Sequence, residues 1–174
     1  MYMKRKIISA LTILIFFILQ SSVFSRLGFG GITPNLMIIL TASYGFMRGE
    51  KSGLIIGFFC GLLTDIFFGD LIGAYALIYM YIGYFNGKFS YIFFPEDIKL
   101  PITLIALSDV LYGMICYVFL FMMRGRFDLP YYFMHIIIPE MIYTIVVTIV
   151  FYPIILKVNK ILDHDERRSA KKFA

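Results

Sequence analysis

The chain has no tryptophan, only two cysteines and few charged residues, and each shortage removes a class of protein. Charged residues make up 16% of the 174, 60% are hydrophobic and the mean hydropathy is +0.85, which excludes an ordinary soluble globule and points to a polytopic membrane protein. A spanning helix takes about 20 apolar residues, so about six spans fill the chain and leave no room for a soluble domain. Cys60 and Cys116 both sit in apolar segments without metal-type spacing, which argues against a disulfide framework or a zinc site. Packing as small hydrophobes is the simpler role for both. Without tryptophan, the interfacial belt falls to the thirteen tyrosines, and anchoring or helix packing explains them more simply than stacking on bases or sugars. There is no HExxH, no Gly-rich phosphate loop and no GxSxG, so no established catalytic pattern is present.

What is abundant is glycine at a fixed interval. Gly49, Gly53, Gly57 and Gly61 recur every fourth residue, and the next step of the series is a carboxylate, Asp65. Residues four apart share one helix face, so the glycines form a groove without side chains in which another helix can lie. In lipid no hydrophobic force holds helices together, and close backbone packing on small residues is a main source of association. The groove is therefore expected to be buried by a partner helix. Gly73, Ala76, Met80, Gly83 and Gly87 make a second small face, through which the third and fourth spans can meet.

Hydrophobic runs predict spans at about Ile7–Phe24, Pro34–Met47, Gly53–Phe68, Leu71–Asn86, Leu100–Met123 and Phe133–Leu156. Thr33 is positioned to cap the second, with Pro34 at its first helical position. The connectors Arg48–Ser52 and Gly69–Asp70 are short enough to demand antiparallel hairpins or a partly re-entrant segment. Of the sixteen Lys and Arg, only Arg26, Arg124 and Arg126 fall on one side of a six-span layout. The rest, including Lys4, Arg5, Arg48, Lys88 and Lys157, fall on the other, so both termini are expected in the cytoplasm. This flanking distribution accounts for the net charge of +5 without nucleic acid. A cleavable signal peptide ending near Val23-Phe24-Ser25 is the rival for the first span, but Ile7–Phe24 is longer than a usual signal core. Residues 1–156 then form one integral membrane helical domain and 157–174 a basic cytoplasmic tail. In that tail Val158, Ile161 and Leu162 keep helical spacing ahead of Asp163, Asp165, Glu166, Arg167 and Arg168. It reads as a solvated helix extension, or as a surface for anionic lipid or a cytoplasmic partner.

Three carboxylates fall inside spans, where an acidic residue costs about 2.5 to 3.5 kcal/mol on insertion scales. Asp65 is near the outer end of the third span. Asp109 lies about 13 Å into the fifth and Glu140 about 10 Å into the sixth, at 1.5 Å per residue. Pro139, just before Glu140, removes a backbone hydrogen bond and predicts a kink. No intramembrane Lys or Arg offers a counter-ion, so a carboxyl here is neutral or hydrogen-bonded, with Ser108, Tyr112 and Tyr143 as nearby candidates. Contacts that fix helix packing are the favoured role; a ligand pocket and a proton or cation path are the alternatives. His135 is read as an interfacial residue rather than a ligand.

The stretch Pro34-Asn35-Leu36, Arg48-Gly49, Gly57-Phe58 and Gly61-Leu62-Leu63-Thr64-Asp65, followed by Gly69, Gly73, Ala76 and Gly83-Tyr84, resembles the rod shape-determining protein MreD family. The resemblance covers about a third of the chain at motif level and the remainder by layout. It departs at Asn35, where many members carry Asp, which puts any role needing a charge there in doubt. The resemblance implies an all-α polytopic protein of the bacterial inner membrane, without catalytic activity or cofactor. It also implies work beside an MreC-like protein, RodA and a class B penicillin-binding protein, with MreB indirectly. The first expectation is thus a scaffold for peptidoglycan synthesis and cell elongation whose glycine groove, Asp65 and fourth-span face bind partner helices. The family's likeness in fold to substrate-binding components of energy-coupling vitamin transporters implies a second. That reading asks for a docking face of alanines on the first span, which offers only Ala10. An intramembrane enzyme using Asp109 and Glu140 is the third.

Overall fold

The structure is a computed structural model that describes residues 2–28, 31–69, 72–92, 98–120 and 128–170. The described chain is all-helical. α1 (Tyr2–Ile18) runs on as a π-helical stretch, Leu19–Phe24. Then come α2 (Leu36–Arg48), α3 (Glu50–Phe68), α4 (Ala74–Lys88, closed by the 3₁₀ turn Phe89–Ile92) and α5 (Lys99–Leu120). The last rod, α6, opens with the single turn Leu129–Tyr132, passes through a π-helical stretch at Phe133–Ile137 and continues as Ile138–Ala170. The expected span ends at Leu71 and at residues 121–123, together with Asp70, Arg124, Arg126, Lys171 and Lys172, lie outside the described residues.

Among the described residues, four stretches are long and apolar enough to cross a membrane: Lys4–Phe24, Glu50–Phe68, Lys99–Phe119 and Leu129–His164. The other two helices are shorter. At 13 residues α2 is about 20 Å long and at 15 residues α4 is about 22 Å, both less than a hydrocarbon core of about 30 Å. The short helix α2 is the centre of the molecule. Every residue from Leu36 to Phe46 is buried, and α1, α3, α4, α5 and α6 all pack on it. A helix apolar on every side is a core helix, and protein rather than lipid surrounds this one.

Its start differs from the expectation by two residues. Asn35, not Thr33, is the cap: its Oδ1 accepts from the Ile38 N–H at 3.1 Å, and Gln20 of the α1 extension accepts from Met37 N–H at 3.1 Å. A side-chain amide from another helix thus satisfies a second orphan donor. Its end is a single residue, Gly49, at φ 87°, ψ 178°, which divides α2 from α3 in one step. A backbone with that φ suits glycine, so Gly49 serves the turn. A Cβ there would meet only the Ser90 hydroxyl, so Gly49 is not part of the packed glycine face.

The packed face is Gly53, Gly57 and Gly61, and α4 lies in it. A Cβ on Gly53 would strike the backbone of Gly83, on Gly57 that of Tyr79 and Met80, and on Gly61 that of Tyr75 and Ala76. The contact is reciprocal, because a Cβ on Gly83 would strike Gly53 and one on Gly87 would strike Glu50. Gly45 of α2 completes the junction against Gly83 and Gly87. The groove that the sequence offers to a partner helix is occupied by the next helix of the same chain. Gly73 is again a turn glycine, at φ 104° with open space where a Cβ would be.

At one end of the molecule the tail folds back on the bundle. Arg5, 8% exposed, donates to Asn159 at 2.9 Å, to Asp163 at 2.7 Å and to Glu166, and Arg48 at the end of α2 donates to Asp163 at 3.1 Å. The beginning of α1, the end of α2 and the end of α6 therefore share one ionic cluster. With Asn159 and Leu162 buried, the helix beyond Leu156 is docked on this side rather than solvated all round.

A leucine at position 57 forces α3 and α4 apart, because no rotamer removes a Cβ from backbone atoms. Overpacking costs typically about 1–3 kcal/mol and more where backbone must move. Gly57→Leu is expected to lower the thermal midpoint of the purified protein in detergent sharply, whereas Phe58→Leu, at a side chain 40% exposed, leaves it near wild type. Equal midpoints for the two variants contradict the described contact.

Candidate functional site

Polar groups collect around the ends of α2 and α4, and they sort into two sets. The first is the Asp65 cradle. Asp65 sits on the last turn of α3, 1% exposed, above the glycine face that brings α4 close. Its Oδ2 accepts from the backbone N–H of Gly73 and of Ala76, each at 2.9 Å, and its Oδ1 accepts from Tyr75 N–H at 2.8 Å. These are orphan donors of the first turn of α4, and a negative charge there is favoured by the helix dipole. A carboxylate donated by one helix caps the next. That explains how a buried acid persists with no Lys or Arg paired to it among the described residues.

The second set surrounds the start of α2. Besides capping α2, Asn35 Oδ1 accepts from the Tyr79 hydroxyl of α4 at 3.0 Å, and Asn35 N–H donates to Thr144 Oγ1 of α6 at 3.1 Å. Thr144, wholly buried, is also the side-chain hydrogen-bond partner of Asp109 on α5. Asp109 in turn lies close enough to Glu140 for their charges to interact. Four helices are thus tied through one polar chain running Tyr79, Asn35, Thr144, Asp109. Asn35 acts here through its neutral amide and its backbone, so nothing at this position requires a charge.

Ser108, Tyr112 and Tyr143, the partners expected for the intramembrane acids, are engaged elsewhere. Ser108 donates to Leu104 O and accepts from the Asn86 amide, each at 2.7 Å. Tyr112 packs on Tyr79 with ring centroids 5.2 Å apart and shares a hydrogen bond with it. The Tyr143 hydroxyl donates to Leu27 O at 3.4 Å. Thr144 was missed, although a signal existed: Glu140, Thr144 and Thr148 are four apart and share a helix face. Arg5 was counted for topology alone, and nothing in its local sequence marks it as buried.

Glu140 faces a cavity of about 380 Å³ at the end of the molecule opposite the termini, lined also by Gly31, Ile32, Thr33, Tyr131, His135 and Ile136. His135 stacks on Tyr131 with ring centroids 4.2 Å apart, and its Nδ1 lies 3.0 Å from the Tyr131 carbonyl oxygen. The disturbance expected from Pro139 appears just before it, as the π-helical stretch Phe133–Ile137. A missing N–H at residue 139 leaves the His135 carbonyl without its ordinary helical donor, and a widened turn accommodates this. Cys60 and Cys116 are buried and free, and among the described residues no group of three or more His, Cys, Asp or Glu could hold a metal ion.

The family model of the rod shape-determining protein MreD matches residues 4–161. No curated protein and no solved structure is similar enough to match. Nothing in these comparisons supports a transporter component.

Removing the Asp65 carboxylate strands three donors at a buried helix start. Asp65→Ala is expected to destabilise the chain by about 2 kcal/mol or more, given about 1–3 kcal/mol per stranded buried group, and Asp65→Asn by less, since it keeps one acceptor. Thermal unfolding in detergent reads the order. Wild-type stability in Asp65→Ala combined with poor recovery of binding partners assigns Asp65 to a partner interface instead.

Proposed function

This chain belongs to the rod shape-determining protein MreD family, and we propose that it is a non-enzymatic scaffold of the bacterial cell-elongation machinery. It sits in the cytoplasmic (inner) membrane as a multi-pass protein and organises peptidoglycan synthesis through helix–helix contacts. Its partners are an MreC-like protein, RodA and a class B penicillin-binding protein, with MreB reached indirectly. Nucleic acid has no part in it. The observation that carries this reading is the family match over residues 4–161. The use made of the polar side chains supports it: Asp65, Asn35 and Thr144 are engaged in joining helices, as a scaffold requires.

Both termini belong in the cytoplasm on this reading. The excess of Lys and Arg on one side supports that, and so does the meeting of Arg5 with Asp163, which draws the two ends of the chain to one side of the bundle. The glycine face contributes to partner binding indirectly. Gly53, Gly57, Gly61, Ala76 and Gly83 lock α3 and α4 into one rigid hairpin, and that hairpin presents Ile55, Phe58 and Phe59 outward to lipid and to partner helices.

Depletion in the native bacterium is expected to turn rods into rounded cells, read by microscopy over several divisions. Re-expression of wild type restores rods, and a Phe58→Ala/Phe59→Ala double variant that inserts and melts normally restores them less well and recovers less MreC-like partner. Rods that keep their shape after depletion refute the proposal.

A further inference from the structure

The carboxyls in the membrane part of the chain are not treated alike. Asp65 is saturated with backbone donors, whereas Glu140 has no hydrogen bond or ion pair among the described residues. Asp109, close enough to Glu140 to interact with it and 4% exposed, keeps one carboxyl oxygen with no partner among the described residues. In a low-dielectric setting a carboxyl beside another is held as an anion only by a positive group, and among the described residues neither Lys nor Arg lines the space in front of Glu140. That space is a cavity of about 380 Å³, within the range of small-ligand sites of about 300–1,000 Å³.

The wall defines the class of cation. A bare hard metal ion takes six to eight oxygens, or a near-ideal octahedron of them, whereas the side chains described around the cavity offer one carboxylate, the Thr33 and Tyr131 hydroxyls and the His135 imidazole, and no group of three or more His, Cys, Asp or Glu is present among the described residues. Ile32 and Ile136 are aliphatic, and the stacked Tyr131–His135 pair is a flat π surface. Such a wall suits a positive head on a short carbon stem, held by charge at one end and by aromatic contact along its side. We propose that this cavity binds a primary ammonium group, carried by a lipid headgroup or by a free small amine, with the Glu140 carboxylate as its counter-ion and Thr33 as a further acceptor. This is a site distinct from the α3–α4 contact and does not depend on the scaffold reading.

The full chain in nanodiscs of phosphatidylcholine and phosphatidylglycerol, lipids without a primary amine, provides the test. n-Butylammonium chloride is expected to raise the melting temperature by several degrees in a saturable way, while n-butanol and tetramethylammonium chloride do not. The rise is lost in Glu140→Gln and kept in Asp128→Asn. In a second arm, phosphatidylethanolamine replaces phosphatidylcholine. A rise there without added amine, with phosphatidylethanolamine retained by wild type and not by Glu140→Gln in native mass spectrometry, identifies the headgroup as the source. A rise with butylammonium alone identifies a free amine. If Glu140→Gln does not fold, Ile136→Phe, which fills the cavity from its apolar wall, must abolish the response instead. Equal responses in wild type and variant, or none in either arm, overturn the site.

Discussion

In a bilayer, helices gain nothing from hiding apolar surface from water, so a bundle depends first on backbones approaching closely enough for dispersion to act, with interhelical hydrogen bonds added to it. In this chain that condition is met along one line, where Gly53, Gly57 and Gly61 of α3 meet Gly83, Tyr79 and Ala76 of α4 with no side chain between them. The rest is arranged around it. Because α3 and α4 are in backbone contact, Asp65 reaches the first turn of α4. Because Gly45 lets α2 lie on the same seam, α2 becomes the enclosed post on which the other helices stack.

The polar side chains follow from that geometry. In hydrocarbon an unmet N–H or C=O costs several kcal/mol, and short helices have as many loose ends as long ones. α2 and α4 are the short helices, and it is at their starts that Asn35, Gln20 and Asp65 accept backbone hydrogen bonds. A sequence with acids and amides inside apolar runs thus reads first as a set of helix ends brought indoors. Glu140 is the exception, which is why it singles out a cavity rather than a joint.

The two ends of the molecule have contrasting electrostatics. At the end holding the termini, Arg5 and Arg48 meet Asp163 and Glu166, so opposite charges are matched within the chain. At the other end Glu140 faces a cavity with no ion pair among the described residues. Among the described residues, the two ends of the molecule therefore differ in charge pairing.

Membrane class, helical fold, family and the small-residue nature of the third and fourth helices were legible without coordinates. Hydrophobic runs, charge flanks and the four-residue glycine period are properties of neighbouring residues, and local physics suffices to read them. Even the pairing of the third and fourth helices was visible in their matching small faces. The four-residue period did not reveal that its first glycine, Gly49, belongs to a turn, because a positive φ leaves no mark on spacing. Nor did it reveal that the groove is filled from within: the occupant of a face depends on where the chain turns back, and Gly49 and Gly73 decide that. The burial of Arg5, the capping of α4 by Asp65 and the link from Asn35 to Thr144 join residues up to 161 positions apart, and no sequence pattern encodes such distances. Composition determined that this chain is a bundle of membrane helices; the tertiary fold alone decided which carboxyls it satisfies and which it leaves facing a cavity.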